Sequence, residues 1–251
     1  MCYRFLGAVP IIMNIDRYSL ATNLKWKLRY GFLGKIPSLY QYTYCLKPAN
    51  RRLFVDEDTD ITISGFPKSA NTFAVVAFQN TQDVTYKISH HQHVISQIVK
   101  SVKLLPTVTL IRDPVEAVSS LILRLPGLSI TSALRTYINY YESIKDYVYE
   151  SKVILAPFEL VIEDFSSIIG KVNRVFGADF KLFEHDEKFE NKIFSEIEKI
   201  ENSLGTTNEY KVSKPNPKKE ALKTDIRTKV IEHSLTSEAE DIYSNLKGAQ
   251  W

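Results

Sequence analysis

The chain has 251 residues, 44% hydrophobic and 24% charged, a composition that predicts a soluble globular protein with one sizeable core. Its net charge of +3 is too small to indicate a nucleic-acid partner, although it favours a small anionic ligand. The two cysteines, Cys2 and Cys45, lack both the spacing of a metal site and the density of a disulfide-rich secreted domain, which favours a reducing compartment.

The first residues contain an apolar run, 5–15, that follows Arg4 as in a signal peptide. The run is short, Pro10 interrupts it, and no convincing small-residue cleavage site follows before the basic stretch that begins at Lys25. We therefore expect no signal peptide, no transmembrane segment and a cytoplasmic protein.

Strand and helix patterns alternate along the middle of the chain. Short apolar or alternating runs predict strands at residues 61–64, 83–89, 107–111 and 153–156. Helical patterns predict helices at residues 70–78, 94–103, 115–124, 130–149, 163–176, 187–202 and 225–247, with a long polar loop at 205–220. The order indicates an α/β fold, with a parallel central sheet flanked by helices and a ligand held by loops at the carboxyl ends of the strands.

The stretch "ISGFPKSANTF" joins the first predicted strand to a helix. It lacks the glycine before the lysine that a nucleoside-triphosphatase loop needs, and it lacks the G-x-G-x-x-G of a dinucleotide site. It still offers a helix N-terminus, the ammonium of Lys68 and the side-chain donors of Ser69, Asn71 and Thr72, which together predict an anion site. The alternative is an ordinary helix N-cap with a solvated lysine.

A second stretch, "TVTLIRDPVEAVSSLILR", has the same strand-to-helix character. Asp113 suits an N-cap and Pro114 suits the first helical turn, so Arg112 is expected at the strand's carboxyl end, beside the first loop. Ser120, two helical turns further on, could face the same side and help Arg112 to clasp a phosphate. Alternatively, Arg112 and Asp113 pair only to hold the turn.

Together the two stretches resemble the motifs of sulfotransferases that use 3'-phosphoadenosine 5'-phosphosulfate (PAPS). The family's P-K-S-G-T-T-W loop corresponds to "PKSANTF" here, and its R-[N/D]-P motif with a later serine corresponds to Arg112, Asp113, Pro114 and Ser120. The resemblance spans residues 61–176. It implies a P-loop-like sulfotransferase fold with a helical C-terminal portion, and sulfuryl transfer from PAPS to a hydroxyl or amine acceptor, with 3'-phosphoadenosine 5'-phosphate (PAP) as the product.

The resemblance also implies nucleotide contacts. Lys68 would meet the oxygen between phosphate and sulfate, and Ser69 would modulate that lysine. The remaining contacts would come from the rest of the first loop and from the second motif: Pro67, Ala70 in place of a glycine, Asn71 and Thr72 at the 5'-phosphate, Phe73 beside the adenine, and Arg112 and Ser120 at the 3'-phosphate, with Ser119 as the alternative to Ser120.

Sulfuryl transfer needs a base for the acceptor's proton, and a histidine suits this role. The family's base lies in a K-T-H-x-P segment between the two motifs, where this chain has His90, His91 and His93. His93 is slightly favoured as the base because it immediately precedes a predicted helix, and His90 is next. No second Cys or His cluster completes a metal site, so no metal is expected.

Two further correspondences lie later in the chain. Phe158 stands where the family has a tyrosine near the adenine. The R-K-G motif that grips the 3'-phosphate in cytosolic members is missing, and Lys214, Lys218 and Lys219 in the polar loop could form a basic lid instead. This departure favours a bacterial-type or divergent member of the family.

The chain is predicted to be one sulfotransferase domain over residues 1–251. It would comprise an N-terminal region, 1–60, near the acceptor, a nucleotide-binding core, 61–176, and a helical C-terminal portion, 177–251. The acceptor is left open among carbohydrate, phenol, lipid and other hydroxyl-bearing molecules. The alternatives are a nucleotide kinase or NTPase-like protein and a non-catalytic nucleotide-binding module.

Overall fold

The computed structural model describes residues 19–45, 53–91, 93–184, 186–203 and 217–250. Its strands are β1 (Ile61–Gly65), β2 (Ile88–His90), β3 (Thr107–Ile111) and β4 (Ile154–Pro157). Its α-helices are α1 (Leu20–Trp26), α2 (Pro37–Cys45), α3 (Asn71–Thr81), α4 (Ile95–Ser101), α5 (Pro114–Arg124), α6 (Ile130–Tyr149), α7 (Phe158–Glu163), α8 (Phe165–Phe176), α9 (Glu187–Ser203), α10 (Pro217–Ile231) and α11 (Thr236–Gln250).

The four strands form one parallel sheet in the order β2-β1-β3-β4. Every residue of β1, β3 and β4 is buried, as expected for a parallel sheet covered on both faces. One hydrophobic core packs α5, α6 and α11 against one face, and another packs α3, α8 and α9 against the opposite face. The predicted α/β fold with a parallel central sheet is therefore confirmed.

The strand order creates a switch point between β1 and β3. The chain leaves β1 towards β2 on one side, whereas it leaves β3 towards β4 on the other side. In open parallel sheets, ligands bind outside the carboxyl ends of the strands at such a point, because the two connections diverge and leave a crevice. The residues that follow Gly65 and Ile111 therefore border the expected ligand site.

Two predicted elements differ from the structure. Of the predicted strand 83–89, only the end forms a strand, β2, which covers Ile88–His90. The ring of Tyr86 packs edge-on against that of Phe180, with 5.1 Å between centroids, and its centroid lies 5.8 Å from that of Phe78. The alternation in the first residues of the predicted strand thus reflects packing beneath α3 and not sheet pairing.

The predicted helix 225–247 is interrupted between α10 and α11. At the break, the N–H of His233 donates to the carbonyl of Val230 at 3.1 Å, and the N–H of Leu235 donates to Nδ1 of His233 at 3.2 Å. These local bonds replace the helical pattern and turn the chain. The first turn of α10 also occupies the end of the predicted loop 205–220.

Residues 20–45 of the N-terminal region are mostly helical, whereas residues 53–60 form turns and loop. α1 continues without a break into a π-helical stretch, Lys27–Phe32, and a 3₁₀ turn, Leu33–Lys35. Trp26 anchors this segment, because its side chain is buried and its Nε1–H donates to Thr136 Oγ1 at 2.8 Å. Among the described helices, none is both long and apolar enough to cross a membrane.

Candidate functional site

The loop after β1 begins at Gly65, which no other residue could replace without a shift of the neighbouring backbone. A Cβ on Gly65 would lie 2.2 Å from the carbonyl oxygen of Leu110, so β1 and β3 can run this close only without a side chain here. Three residues further on, the backbone is left-handed at Lys68 (φ 73°), and it is left-handed again at Ala70 (φ 64°). Alanine is strained in this region, whereas the glycine that the family motif has at this position is not.

The turn delivers the chain to the N-terminus of α3 without a side-chain cap from Ala70. Asn71 instead turns back, and its Nδ2–H₂ donates to the carbonyl of Phe66 at 3.0 Å. The first backbone N–H groups of a helix have no intrahelical acceptor, and they form the positive end of its dipole. The loop therefore has the local structure of an anion site.

The other residues of the first loop are also located. Pro67 and Ser69 are buried, and Thr72 is half-buried with its hydroxyl 3.1 Å from Nε2 of His91. Phe73 is buried, and its ring lies 5.5 Å from that of Phe194 on α9. The structure places Phe73 in the core, so its contact with an adenine stays a prediction.

Arg112 joins the second motif to the first. Its guanidinium donates to the carbonyl oxygen of Lys68 at 3.1 Å and lies 3.9 Å above the ring of Phe158. Asp113 caps α5 by accepting the N–H of Glu116 at 2.9 Å, and the hydroxyl of Tyr137 donates to the carbonyl of Arg112 at 2.7 Å. The predicted neighbours Lys68, Arg112 and Phe158 thus meet at the switch point.

A second tyrosine of α6 fixes the same edge of the sheet. The hydroxyl of Tyr141 donates to the carbonyl of Leu110 at 2.7 Å and accepts the N–H of Phe66 at 3.4 Å. Burial raises the pKa of Tyr141 well above its ordinary value, so the hydroxyl keeps its proton. It therefore ties the ends of β1 and β3 together behind the loops.

The two candidate serines of α5 differ in exposure. Arg112, Glu116 and Ser120 are half-buried and spaced by four residues, so they follow one side of the helix. Ser119 is fully buried, and its hydroxyl has no hydrogen-bond partner within the described ranges. This spacing and exposure favour Ser120 over Ser119 as the partner of Arg112.

The histidine segment packs against the first loop. Nδ1 of His93 lies 2.6 Å from the carbonyl oxygen of Gly65, and Nδ1 of His90 contacts Nδ1 of His91. Because a carbonyl only accepts, His93 must carry its proton on Nδ1, which leaves Nε2 free to take one. The backbone is left-handed at both His91 (φ 57°) and His93 (φ 53°).

His93 and His91 are both neutral near pH 7. Burial and, to a lesser extent, the proximity of His91 lower the pKa of His93 to about 3, whereas the bond to Gly65 opposes the shift. Burial and the charge of Arg124 lower the pKa of His91 to about 4. In the described part of the chain, no group of three or more His, Cys, Asp or Glu side chains could hold a metal ion.

A small cavity borders the candidate base. It measures about 30 Å³ and lies between the π-helical stretch, the start of α4 and α6. Its polar lining includes His93, Thr136 and Asn139, and Tyr30 and Tyr140 contribute aromatic rings. This volume exceeds what one water molecule needs.

Sequence reasoning missed a cluster of charges beside Arg112. Glu116 accepts from Arg227 through two bonds, Nε–Oε1 at 2.6 Å and Nη2–Oε2 at 3.0 Å, and also from Lys223. Arg112 lies 3.6 Å from the same carboxylate, and Arg227 also bonds Glu220 at 2.6 Å. Three cations thus surround two carboxylates.

Within this cluster the pKa values of Glu116 and Lys223 are both lowered, for different reasons. Burial would raise the pKa of Glu116, but the hydrogen bonds from Arg227 and Lys223 outweigh it and lower the pKa to about 2. Lys223 is only 3% exposed, and burial lowers its pKa although Glu116 opposes the shift. Lys218 and Lys219 lie in the first turn of α10, where their side chains are outside the described part, as is all of Lys214.

No family model matches the chain, and no curated protein matches it. Among solved structures, mouse sulfotransferase SULT7A1 complexed with PAP is similar to this chain, with 14% sequence identity and a TM-score of 0.43 over 78% of this chain and 90% of that one. Because both measures of similarity are low, the functional assignment rests on the residues described above.

Proposed function

We propose that this protein transfers a sulfuryl group from PAPS to a hydroxyl or amine acceptor. The observation that carries the proposal is the hydrogen bond from the guanidinium of Arg112 to the carbonyl of Lys68. The two stretches that resemble PAPS-binding motifs lie 44 residues apart in the chain, yet they touch at the switch point of the sheet. A bisphosphorylated nucleotide needs this combination of two adjacent anion sites.

The first loop fits the 5'-phosphate end of such a nucleotide. The N-terminus of α3 has no side-chain cap from Ala70. Backbone amides, a helix dipole and the ammonium of Lys68 all favour an anion there. Ala70, being small, leaves room for the backbone to approach the ligand.

The cluster around Glu116 fits the 3'-phosphate end. Arg112 and Ser120 would bind the phosphate, as the family resemblance implies. Lys223 and Arg227 of α10 would supply the cations that the missing R-K-G motif supplies in cytosolic members of that family. Glu116 currently takes the hydrogen bonds that a phosphate would compete for. We assign to it the role of an internal anion that holds the cations in place.

PAPS would supply the sulfuryl group and leave as PAP. His93 would accept the acceptor's proton on Nε2, because its Nδ1–H is held by the carbonyl of Gly65. Lys68 would place its ammonium beside the phosphate oxygen that gains negative charge as the bond to sulfur breaks. The protein's contribution would be positioning and electrostatic stabilisation, as in phosphoryl transfer.

The acceptor would approach from the cavity beside His93. Polar groups of Thr136 and Asn139 and the rings of Tyr30 and Tyr140 line it, so it can take a hydroxyl attached to a flat or carbohydrate ring. Its small volume admits the reacting end of an acceptor and not a whole molecule.

Thermal unfolding with PAP, compared with ATP and Mg²⁺, tests the nucleotide assignment. A ligand that binds only the folded state at about a hundredfold its Kd adds about 2.7 kcal/mol, which raises the Tm of a chain of this size by about 5–10 °C. We expect this shift with PAP and a smaller one with ATP. A larger shift with ATP and Mg²⁺ would instead support a kinase or NTPase.

Variants separate the roles of the two motifs. Arg112→Ala should reduce the shift with PAP, whereas Arg174→Ala, an exposed arginine on α8, should leave it unchanged. Lys68→Ala should chiefly lower the rate at which PAP is formed from PAPS, by about a hundredfold or more. This rate is measured with each of a panel of hydroxyl acceptors. PAP binding without turnover of any acceptor, and without any dependence on His90, His91 or His93, would indicate a non-catalytic module.

A further inference from the structure

The N-terminal helical segment carries an apolar face that points away from the protein. This N-terminal outer face consists of five side chains spaced by four residues: Leu20 (85% exposed), Leu24 (65%), Leu28 (51%), Phe32 (59%) and Ile36 (41%). The apolar residues of a surface helix normally face the core, as Trp26 does here. A row of exposed apolar side chains therefore indicates a surface that contacts a partner.

The charges within this segment are all of one sign. Between residues 20 and 36 the chain has four basic residues, Lys25, Lys27, Arg29 and Lys35, and no Asp or Glu. The three lysines are exposed, and Arg29 is half-buried. A helix with an apolar face flanked by lysines lies at the interface of an anionic bilayer, where the leucines enter the acyl boundary and the lysines meet the headgroups.

We infer that the N-terminal outer face docks on an anionic membrane surface. The continuous helical run from Leu20 to Lys35 is long enough to lie along the bilayer for about 24 Å at 1.5 Å per residue. Charge complementarity selects this occupant, because an apolar protein groove alone would not call for three exposed lysines. The inner side of the same segment contributes Tyr30 to the cavity beside His93, so docking would bring that cavity near the bilayer.

Vesicle co-sedimentation of the full-length chain tests this inference without any enzymatic assay. We expect binding to vesicles of phosphatidylcholine and phosphatidylserine in equal parts and little binding to phosphatidylcholine alone. Raising the salt from about 0.1 M to about 1 M should weaken binding, because the Debye length falls from about 10 Å to about 3 Å. The double change Leu24→Ser and Leu28→Ser should reduce the partition coefficient by at least about tenfold.

Matched variants make the test specific to this face. Leu104→Ser with Leu182→Ser removes two equally exposed leucines elsewhere and should leave vesicle binding unchanged. Lys25→Gln with Lys27→Gln should weaken binding to the anionic vesicles, whereas Lys188→Gln with Lys192→Gln on α9 should not.

Three results would overturn the inference. They are no binding to anionic vesicles, equal binding to neutral and anionic vesicles, and binding that the leucine pair does not affect. Sedimentation velocity identifies the alternative occupant, a second copy of the chain. If the protein does not bind vesicles but forms a dimer, and if Leu24→Ser with Leu28→Ser dissociates that dimer, this face is an interface between two copies. Because PAP binding is measured separately, failure here would not bear on the proposed nucleotide site.

Discussion

At the scale of single residues, one hydrogen bond of His93 bears on its proposed role as the base. Its contact with the carbonyl of Gly65 attaches the ring to the glycine that allows β1 and β3 to approach each other. The same bond selects the tautomer with Nδ1–H, and the low pKa of about 3 keeps the ring neutral. A neutral imidazole with Nε2 unprotonated has a lone pair for a proton, and the pKa of about 3 makes it a weak base until a bound anion stabilises its cation.

We expect this protonation state to be visible by NMR of ¹⁵N-labelled histidine. The His93 ring should show the Nδ1–H tautomer near pH 7 and should stay neutral until well below pH 6.5, the ordinary pKa of histidine, because burial and His91 disfavour its cation. His93→Gln identifies the signal by its loss. A ring that titrates near its ordinary pKa, or that carries its proton on Nε2, would contradict the assignment.

At the level of elements, α10 adds two cations beside the two motif loops. It brings Lys223 and Arg227 to Glu116 on α5, across sequence separations of 107 and 111 residues. Arg227 makes a two-pronged contact that a lysine could not reproduce, which fixes the helix against α5. Lys223 is almost fully buried, so its charge depends on the nearby carboxylate.

Lys223→Met should therefore separate 3'-phosphate recognition from general nucleotide binding. Methionine keeps the apolar stem and removes the charge, so we expect the affinity for PAP to fall by about tenfold or more while the affinity for adenosine 5'-phosphosulfate, which lacks the 3'-phosphate, changes little. Isothermal titration calorimetry measures both. Lys145→Met, at a lysine on α6 whose side chain is 43% exposed, is the control. Equal losses for both nucleotides would show that Lys223 only supports the fold.

The order and type of most central elements could be predicted from the sequence, because their apolar runs are local. The loop after Gly65 and the turn at Arg112 were also predictable, since strand ends and helix caps depend on nearby residues. Contacts of Glu116 with Lys223 and Arg227 were not, because they join residues more than 100 positions apart. The break at His233 was missed because a side chain, and no glycine or proline, ends the helix.

For the whole molecule, the shifted groups make stability depend on pH with a definite sign. In the folded protein the pKa of His93 is about 3 and that of His91 is about 4, both below the ordinary 6.5. The unfolded chain therefore binds more protons as the pH falls below 6.5, and the stability that neutral histidines contribute is progressively lost down to about pH 3. Glu116, with a pKa lowered from 4.5 to about 2, adds a second loss below pH 4.5.

We therefore expect the free energy of unfolding, measured in urea, to fall by about 2 kcal/mol or more between about pH 7 and pH 4.5, before most carboxylates titrate. His93→Gln should remove about half of this dependence, because glutamine carries no charge in either state while His91 still titrates. The glutamine amide can still donate to the carbonyl of Gly65. Glu116→Gln should leave this range unchanged and alter only the profile below pH 4.5. If His93→Gln retained the full dependence above pH 4.5, His93 would not be one of its sources, and the packing of His93 against the first loop would have to be looser than its 2.6 Å contact with Gly65 indicates.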